Sequence, residues 1–191
     1  GFSISYPVRI TVVEAKEANA FALPGGHIVV HDEILKEMQR PEELAALLSH
    51  EASHISLRHS LRNMFRSMAR RVFIMLIVGN ESGIATFIID NADNLKQLEY
   101  SRSLETEADN HGMRMMAESG IEPNGMLDLM LLLQKQTKGN EPAAFLSTHP
   151  VFSDRVKNVR QNMSSLEMGE AASPGLQSIF SELKSIAAGS W

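Results

Sequence analysis

The sequence predicts an α+β fold that is mostly helical and has a small β-sheet. Short β-branched runs near the N-terminus predict strands, and most of the remaining 191 residues fall into segments with helical periodicity. The hydrophobic content of 43% and the charged content of 21% are ordinary for a domain with a buried core. We expect a single domain over residues 1–191, in which residues 168–175, with Gly, Ser and Pro, form a flexible link before a final helix.

The strand signals lie in the N-terminal part of the chain. Residues 8–14 are largely β-branched and alternate in part, and residues 27–31 form a second run of this kind. Residues 23–26, Leu-Pro-Gly-Gly, predict a turn before the second strand.

Helical segments fill the rest of the chain. We expect a short helix over residues 32–38 and a long helix from Pro41 to about residue 70, because proline suits the first turn of a helix. Helical periodicity and stop signals predict the other helices, over residues 92–119, 151–163 and 175–188 and after Pro123.

The charge and the cysteine content exclude several classes of function. The net charge is −5 and no basic stripe is present, so we expect no nucleic-acid partner. The chain has no cysteine, which excludes thiolate metal ligands, a thiol nucleophile and disulfide bonds.

The segment 50–54, His-Glu-Ala-Ser-His, lies in the long predicted helix. On a helix, His50 and His54 share one face, and two neutral imidazoles there can hold one zinc ion. Glu51 can take a proton from a water at that metal. The alternative is a surface helix with two solvated histidines, and the apolar stripe of the same helix argues against it.

A catalytic zinc site needs a third protein ligand from elsewhere in the chain. Glu105 and Asp109 lie one helical turn apart on one face of a predicted helix. Glu105 can bind the metal, and Asp109 can accept the spare ring N–H of a ligand histidine. The alternative is a solvated face with an Arg102–Glu105 ion pair. His59 lies off the ligand face and is expected on the surface.

Four segments occur in an order that resembles a known protein family, at residues 19–26, 50–54, 101–109 and 147–150. They resemble metallopeptidase family forty-eight, whose zinc endopeptidases include the CAAX prenyl proteases, the membrane heat-shock protease HtpX and periplasmic quality-control proteases. The apolar runs of this chain are short, which resembles the soluble periplasmic members. The resemblance therefore implies a periplasmic or cell-envelope location, and these residues contain no recognisable secretory signal.

The resemblance also implies a gluzincin-type domain with one zinc ion per chain. The zinc ligands that it implies are His50, His54 and Glu105. It implies Glu51 as the general base and Asp109 as the support of a ligand histidine.

Two further residues are catalytic candidates. His149 could stabilise an oxyanion, could enter the open zinc position as an inhibitory fourth ligand, or could be a capping residue before Pro150. Arg155 could aid transition-state charge or could pair with a carboxylate such as Asp109.

The strand at residues 27–31 is expected at the sheet edge beside the metal cleft. A polypeptide substrate would add to this edge through main-chain hydrogen bonds, which requires an extended or unfolded substrate. The substrate-binding candidates are therefore Gly26, His27, Ile28 and Val29. The alternative is an internal strand without a substrate role.

Two apolar runs, at residues 72–78 and 84–89, are far shorter than the ~20 residues that span a bilayer. We expect them in the core or in a subunit contact. The alternative is a membrane-facing surface or a substrate-gating lid, which would allow peripheral membrane association. No feature defines the oligomeric state.

The sequence thus predicts a zinc-dependent endopeptidase that hydrolyses extended or unfolded polypeptides with a zinc-activated water. Two alternatives stay open. One is a latent protease-fold chaperone or binding module in which His149 closes the zinc site, and the other is an exopeptidase. Four protein ligands would mark a closed structural site, and three would mark a catalytic one.

Overall fold

A computed structural model describes residues 7–78, 101–135, 144–149, 153–170 and 175–189, with the backbone only at residues 70, 71 and 74–78. Its α+β architecture confirms the predicted fold class. The strands are β1 (Arg9–Val13), β2 (Ala20–Leu23) and β3 (His27–His31). The helices are α1 (Asp32–Glu37), α2 (Pro41–Ser56), α3 (His59–Val78), α4 (Arg102–Glu118), α5 (Asn124–Lys135), α6 (Ala144–Thr148), α7 (Ser153–Met163) and α8 (Gly175–Ala187).

The strands form one sheet in the order β1-β3-β2. β3 runs parallel to β1 and antiparallel to β2. The expectation that residues 27–31 form the sheet edge is therefore wrong, because β3 pairs on both sides. Gly25 and Gly26 have φ angles of 93° and 87°, which glycine adopts readily, and this turn folds β2 back onto β3 as a hairpin.

Helix α2 is the buried centre of the fold. It packs against α4, α5 and the sheet, and most of its residues are buried. A Cβ atom on Gly112 of α4 would lie 3.2 Å from the backbone nitrogen of His50. The absence of a side chain at Gly112 therefore allows α4 to approach α2 closely beside the first motif histidine.

The predicted continuous helix from Pro41 to about residue 70 is wrong. α2 ends at Ser56, and Arg58 adopts a left-handed φ of 55° before α3 begins. The N–H groups of Leu57 and Arg58 donate to the carbonyl oxygens of Ser53 and Ile55, which satisfies the end of α2. No glycine or proline marks this break in the sequence.

The other predicted helices agree with the described residues, although α4 begins at Arg102 and residues 92–100 lie outside them. The short helix α6 was not predicted. Val72 and Phe73 of the first apolar run are 53% and 64% exposed, so this part of the run is not in the core. The run at 84–89 and residues 171–174 of the predicted link lie outside the described residues. Within the described ranges, none of the helices has the length and apolar character needed to cross a membrane.

Candidate metal centre

Four buried side chains from three parts of the fold converge at one point. His50 and His54 come from α2, Glu105 comes from α4, and His149 directly follows α6. Their ligand atoms all lie within 4.8 Å of one another. Each of these residues is at most 2% exposed. This group of donors can hold one metal ion.

The spacing of the donors fits a tetrahedral ion. Nε2 of His50 lies 3.0 Å from Nε2 of His54, and Oε1 of Glu105 lies 3.4 Å from His54 Nε2. Four ligands at about 2.1 Å from a tetrahedral centre would be about 3.4 Å apart. Imidazole nitrogen and carboxylate oxygen are both zinc ligands, so the residues present fit zinc in kind and in spacing.

His149 also lies at the metal position. Its Nδ1 is 3.1 Å from Oε1 of Glu105 and 3.4 Å from Nε2 of His50. This placement suits a fourth metal donor or a group that lies beside a bound substrate. A residue that only caps a helix would not need it.

Buried carboxylates favour a positive charge at this point. Burial works to raise the pKa of Glu105, but His149 and His50 outweigh it and hold that pKa well below its usual range. Burial likewise opposes ionisation of Asp109, and Arg155 and His50 lower its pKa. Burial disfavours a charge on His50, but Asp109 and Glu105 raise its pKa to about 10. Both carboxylates therefore stay ionised and attract a cation.

Asp109 and Arg155 lie behind the ligands. Oδ1 of Asp109 is 3.0 Å from Nδ1 of His50, which leaves Nε2 of His50 directed at the metal position. Arg155 donates from Nε and Nη2 to the two oxygens of Asp109, both at 2.8 Å, and its Nη1 lies 2.8 Å from Glu105 Oε2. Of the two sequence-based alternatives for Arg155, the structure shows the carboxylate pairing.

Glu51 is fully buried beside the ligands. Its Oε1 lies 3.6 Å from Nε2 of His149. Neither carboxylate oxygen receives a hydrogen bond of good geometry from the residues that the structure describes, and burial raises the pKa of Glu51. A carboxylate with spare acceptor capacity and a raised pKa is suited to accept a proton from a water.

The edge strand β2 passes beside Glu51. Because hydrogen-bonded and non-hydrogen-bonded pairs alternate in an antiparallel ladder, and His31 N–H donates to Asn19 O, the main-chain groups of Ala20 and Ala22 point away from β3. The N–H of Ala22 lies close to the carboxylate of Glu51. It therefore lowers the pKa of Glu51 and partly offsets the increase that burial causes.

The predicted substrate-binding residues occupy the interior of the sheet. The carbonyl of Gly26 accepts a hydrogen bond from the N–H of Arg9 at 2.8 Å, and residues 27–29 pair with both neighbouring strands. Their main-chain groups are therefore not at a sheet edge, although their predicted role required an edge position. Residues 20–23 hold that position instead, and their short Ala-Phe-Ala-Leu pattern gave only a weak strand signal.

His59 was expected on the surface and is fully buried. Its Nδ1 lies 3.0 Å from Nδ1 of His54, and its Nε2 lies 3.4 Å from Oε2 of Glu107. Burial lowers the pKa of His59 to about 4, so the ring is neutral at pH 7. If Nε2 of His54 faces a metal, its Nδ1–H donates to His59, and the Nε2–H of His59 then faces Glu107. The break at Arg58, which the sequence does not signal, brings His59 here.

A comparison with protein-family models gives one match that covers most of the chain. Residues 2–163 match the model described as peptidase family M48. The chain belongs to this family. The matched region includes every member of the metal cluster, and it confirms the resemblance drawn from the four sequence segments.

Curated relatives of this M48 chain have protease names. It is 31% identical over 156 residues to the mitochondrial metalloendopeptidase OMA1 of Schizosaccharomyces pombe, and the aligned region covers 80% of the chain and 46% of that protein. It is 26% identical over 163 residues to the metalloprotease LoiP of Escherichia coli, covering 83% and 64%. It is 25% identical over 175 residues to the beta-barrel assembly-enhancing protease of Escherichia coli, covering 86% and 36%. The chain thus spans about one third to two thirds of the length of these relatives.

Proposed function

We propose that the chain is a zinc-dependent endopeptidase. The observation that carries this proposal is the convergence of His50, His54 and Glu105 on one buried point beside Glu51. Zinc held by these three residues would supply Lewis acidity, which polarises a peptide carbonyl and makes a water easier to deprotonate. The metalloendopeptidase and metalloprotease names of the relatives support the same class of reaction.

Glu51 is the proposed general base. It accepts a proton from the attacking water and then passes this proton to the nitrogen of the leaving amine, so that no covalent bond to the enzyme forms. Burial raises the pKa of Glu51, which makes its carboxylate a better base toward the water.

Three residues are proposed to position the ligands. Asp109 orients His50, Arg155 holds Asp109 and Glu105 together, and His59 orients His54. Each acts through another residue, so we expect their loss to weaken zinc binding first and turnover as a consequence.

The substrate is proposed to bind along β2. The outward main chain of Ala22, which also lines a cavity beside His54, can pair with an extended polypeptide, as a sheet edge does in β-strand addition. Ala20 takes no part, because it is fully buried and its N–H already donates to Asn19 Oδ1 at 2.9 Å. Such pairing uses groups that every residue has, and it requires a substrate that is extended or unfolded. This keeps the predicted mode of binding and moves it from β3 to β2.

The direct test is cleavage of an unfolded protein such as casein by the zinc-loaded chain and by Glu51→Gln. Because the side-chain amide of this variant cannot take the proton, we expect activity to fall by at least about 100-fold while the zinc content stays at one per chain. Zinc would be measured by atomic absorption on the same samples. Equal cleavage by both proteins would exclude Glu51 as the base, and failure to cut internal bonds of an end-blocked peptide would favour an exopeptidase.

A latent zinc protein is the second candidate, and the position of His149 favours it. A fourth protein donor within 4.8 Å of the other three can close the site. His149→Ala separates the two roles, because activity rises if His149 blocks the open position and falls if it stabilises the oxyanion. Unchanged activity would exclude both.

We also propose a cell-envelope location for the chain. The name of one relative refers to β-barrel assembly. We propose that process only as the place where this chain encounters unfolded polypeptides. Fractionation of cells that produce the native protein, followed by immunoblotting, tests this location.

A further inference from the structure

Helix α3 carries an exposed apolar face that the proposed chemistry does not use. Leu61, Phe65, Met68 and Val72 follow one another at spacings of four, three and four residues, so they lie on one side of the helix. They are 39%, 63%, 38% and 53% exposed. We call these four side chains the α3 stripe.

The α3 stripe begins at the proposed substrate cleft. A cavity beside the metal centre is lined by Leu23 at the end of β2, by His54, and by Leu61, the first residue of the stripe. From Leu61 to Val72 the helix rises about 17 Å, which matches roughly five residues of an extended chain. A polypeptide that leaves the end of β2 therefore meets the stripe next.

Helix α3 is also basic. Between His59 and Val78 the sequence has four arginines and neither Asp nor Glu, in a chain whose net charge is −5. Arg66 is exposed, and Arg62 lies at 2.8 Å from Glu107. An exposed apolar stripe on a helix of net positive charge is complementary to a segment that is apolar and carries carboxylates.

We propose that the α3 stripe is a second binding site for the polypeptide substrate, which holds an apolar segment with neighbouring acidic residues outside the cleft. This proposal rests on the proposed protease function. A second contact on the same chain raises the effective concentration of the scissile segment at the metal centre. Long unfolded chains are therefore cleaved more efficiently than peptides that fill only the cleft.

The test compares one eight-residue peptide with two longer versions, extended at the N- or the C-terminus by Glu-Phe-Leu-Glu-Phe-Leu. Only the extension that leaves the cleft at Leu23 should raise kcat/KM. Phe65→Ser should lower kcat/KM for that peptide by about five- to tenfold and leave the short peptide unchanged, because a large apolar contact is lost. Ile179→Ser on α8 is the matched control, since Ile179 is 54% exposed and should change neither value.

Equal kcat/KM for Phe65→Ser and the parent on all three peptides would overturn the proposal. A binding measurement tests the proposal without turnover. Fluorescence anisotropy of the labelled long peptide measures its affinity for Glu51→Gln, and this affinity should fall when Phe65→Ser is added. If the affinity falls in this way but the parent protein cleaves no peptide, only the proposed protease function is excluded. Phe65-dependent binding to phosphatidylglycerol vesicles, with unchanged peptide binding, would assign the stripe to a membrane surface and overturn the proposal.

Discussion

At the scale of single residues, each motif histidine has a partner on the ring nitrogen that faces away from the metal position. Asp109 occupies this place for His50, and His59 occupies it for His54. The first partner is an anion and the second is a neutral ring, so the two imidazoles differ in basicity although the motif makes them look equivalent.

His59→Ala should lower zinc affinity by about 10- to 100-fold, because His54 loses the group that fixes its tautomer and orientation. His59→Asn should recover part of this loss, since its amide oxygen can accept the Nδ1–H of His54. Competition with a chromogenic chelator measures the affinity. His111→Ala is the control, because His111 is also buried and its Nδ1 lies 2.9 Å from Oγ of Ser53. Equal affinity for His59→Ala and the parent would remove His59 from the metal centre.

Zinc binding should release about one proton from His50 at pH 7. Its pKa is raised to about 10, so the metal-free ring is protonated below that pH and zinc must displace the proton. The apparent zinc affinity should therefore rise about tenfold per pH unit between pH 7 and 9. Calorimetry in buffers of different ionisation enthalpy counts the protons.

Asp109→Asn should reduce this proton release, because it removes the partner that contributes most to the raised pKa of His50. An unchanged release in the variant would show that the proton comes from another group.

At the scale of elements, the edge strand β2 gives a prediction for the main chain of the substrate. If a peptide pairs with Ala22, the N–H of the peptide residue opposite Ala22 donates to β2, and the N–H groups of its two neighbours point away. N-methylation of the substrate at that residue should lower kcat/KM by about 2- to 12-fold, because one hydrogen bond is lost. N-methylation at the two neighbouring residues is the control, and an equal loss there would exclude strand addition.

The elements also show which parts of the site the sequence could predict. The four-residue spacing of His50 and His54 on a helix fixes their common face, and the same spacing fixes that of Glu105 and Asp109. The pairing of β2 depends on contacts between strands, which a four-residue run does not reveal. The burial of His59 depends on a break at Arg58, a non-glycine residue with a φ of 55°. Local periodicity thus predicted which candidate residues share a helix face, and tertiary contacts decided the edge strand and the neighbour of His54.

At the scale of the whole molecule, the metal centre joins α2 to α4 and to the segment after α6. Zinc at a thousand times its Kd should add about 4 kcal/mol to the free energy of unfolding. For a chain of this size that corresponds to an increase in Tm of roughly 8–16 °C. Thermal unfolding followed by circular dichroism measures the shift. Glu51→Gln should keep the whole shift and His54→Ala should lose most of it, whereas a full shift in His54→Ala would place the stabilising zinc elsewhere.

Arg155 has a consequence for the order in which the metal centre assembles. It closes the ion-pair network around Asp109 and Glu105, yet it lies about 100 residues after His54. At about 5–20 residues per second, a ribosome needs roughly 5–20 s to cover that distance. The newly made chain therefore exposes its histidine pair well before it can assemble a complete metal centre.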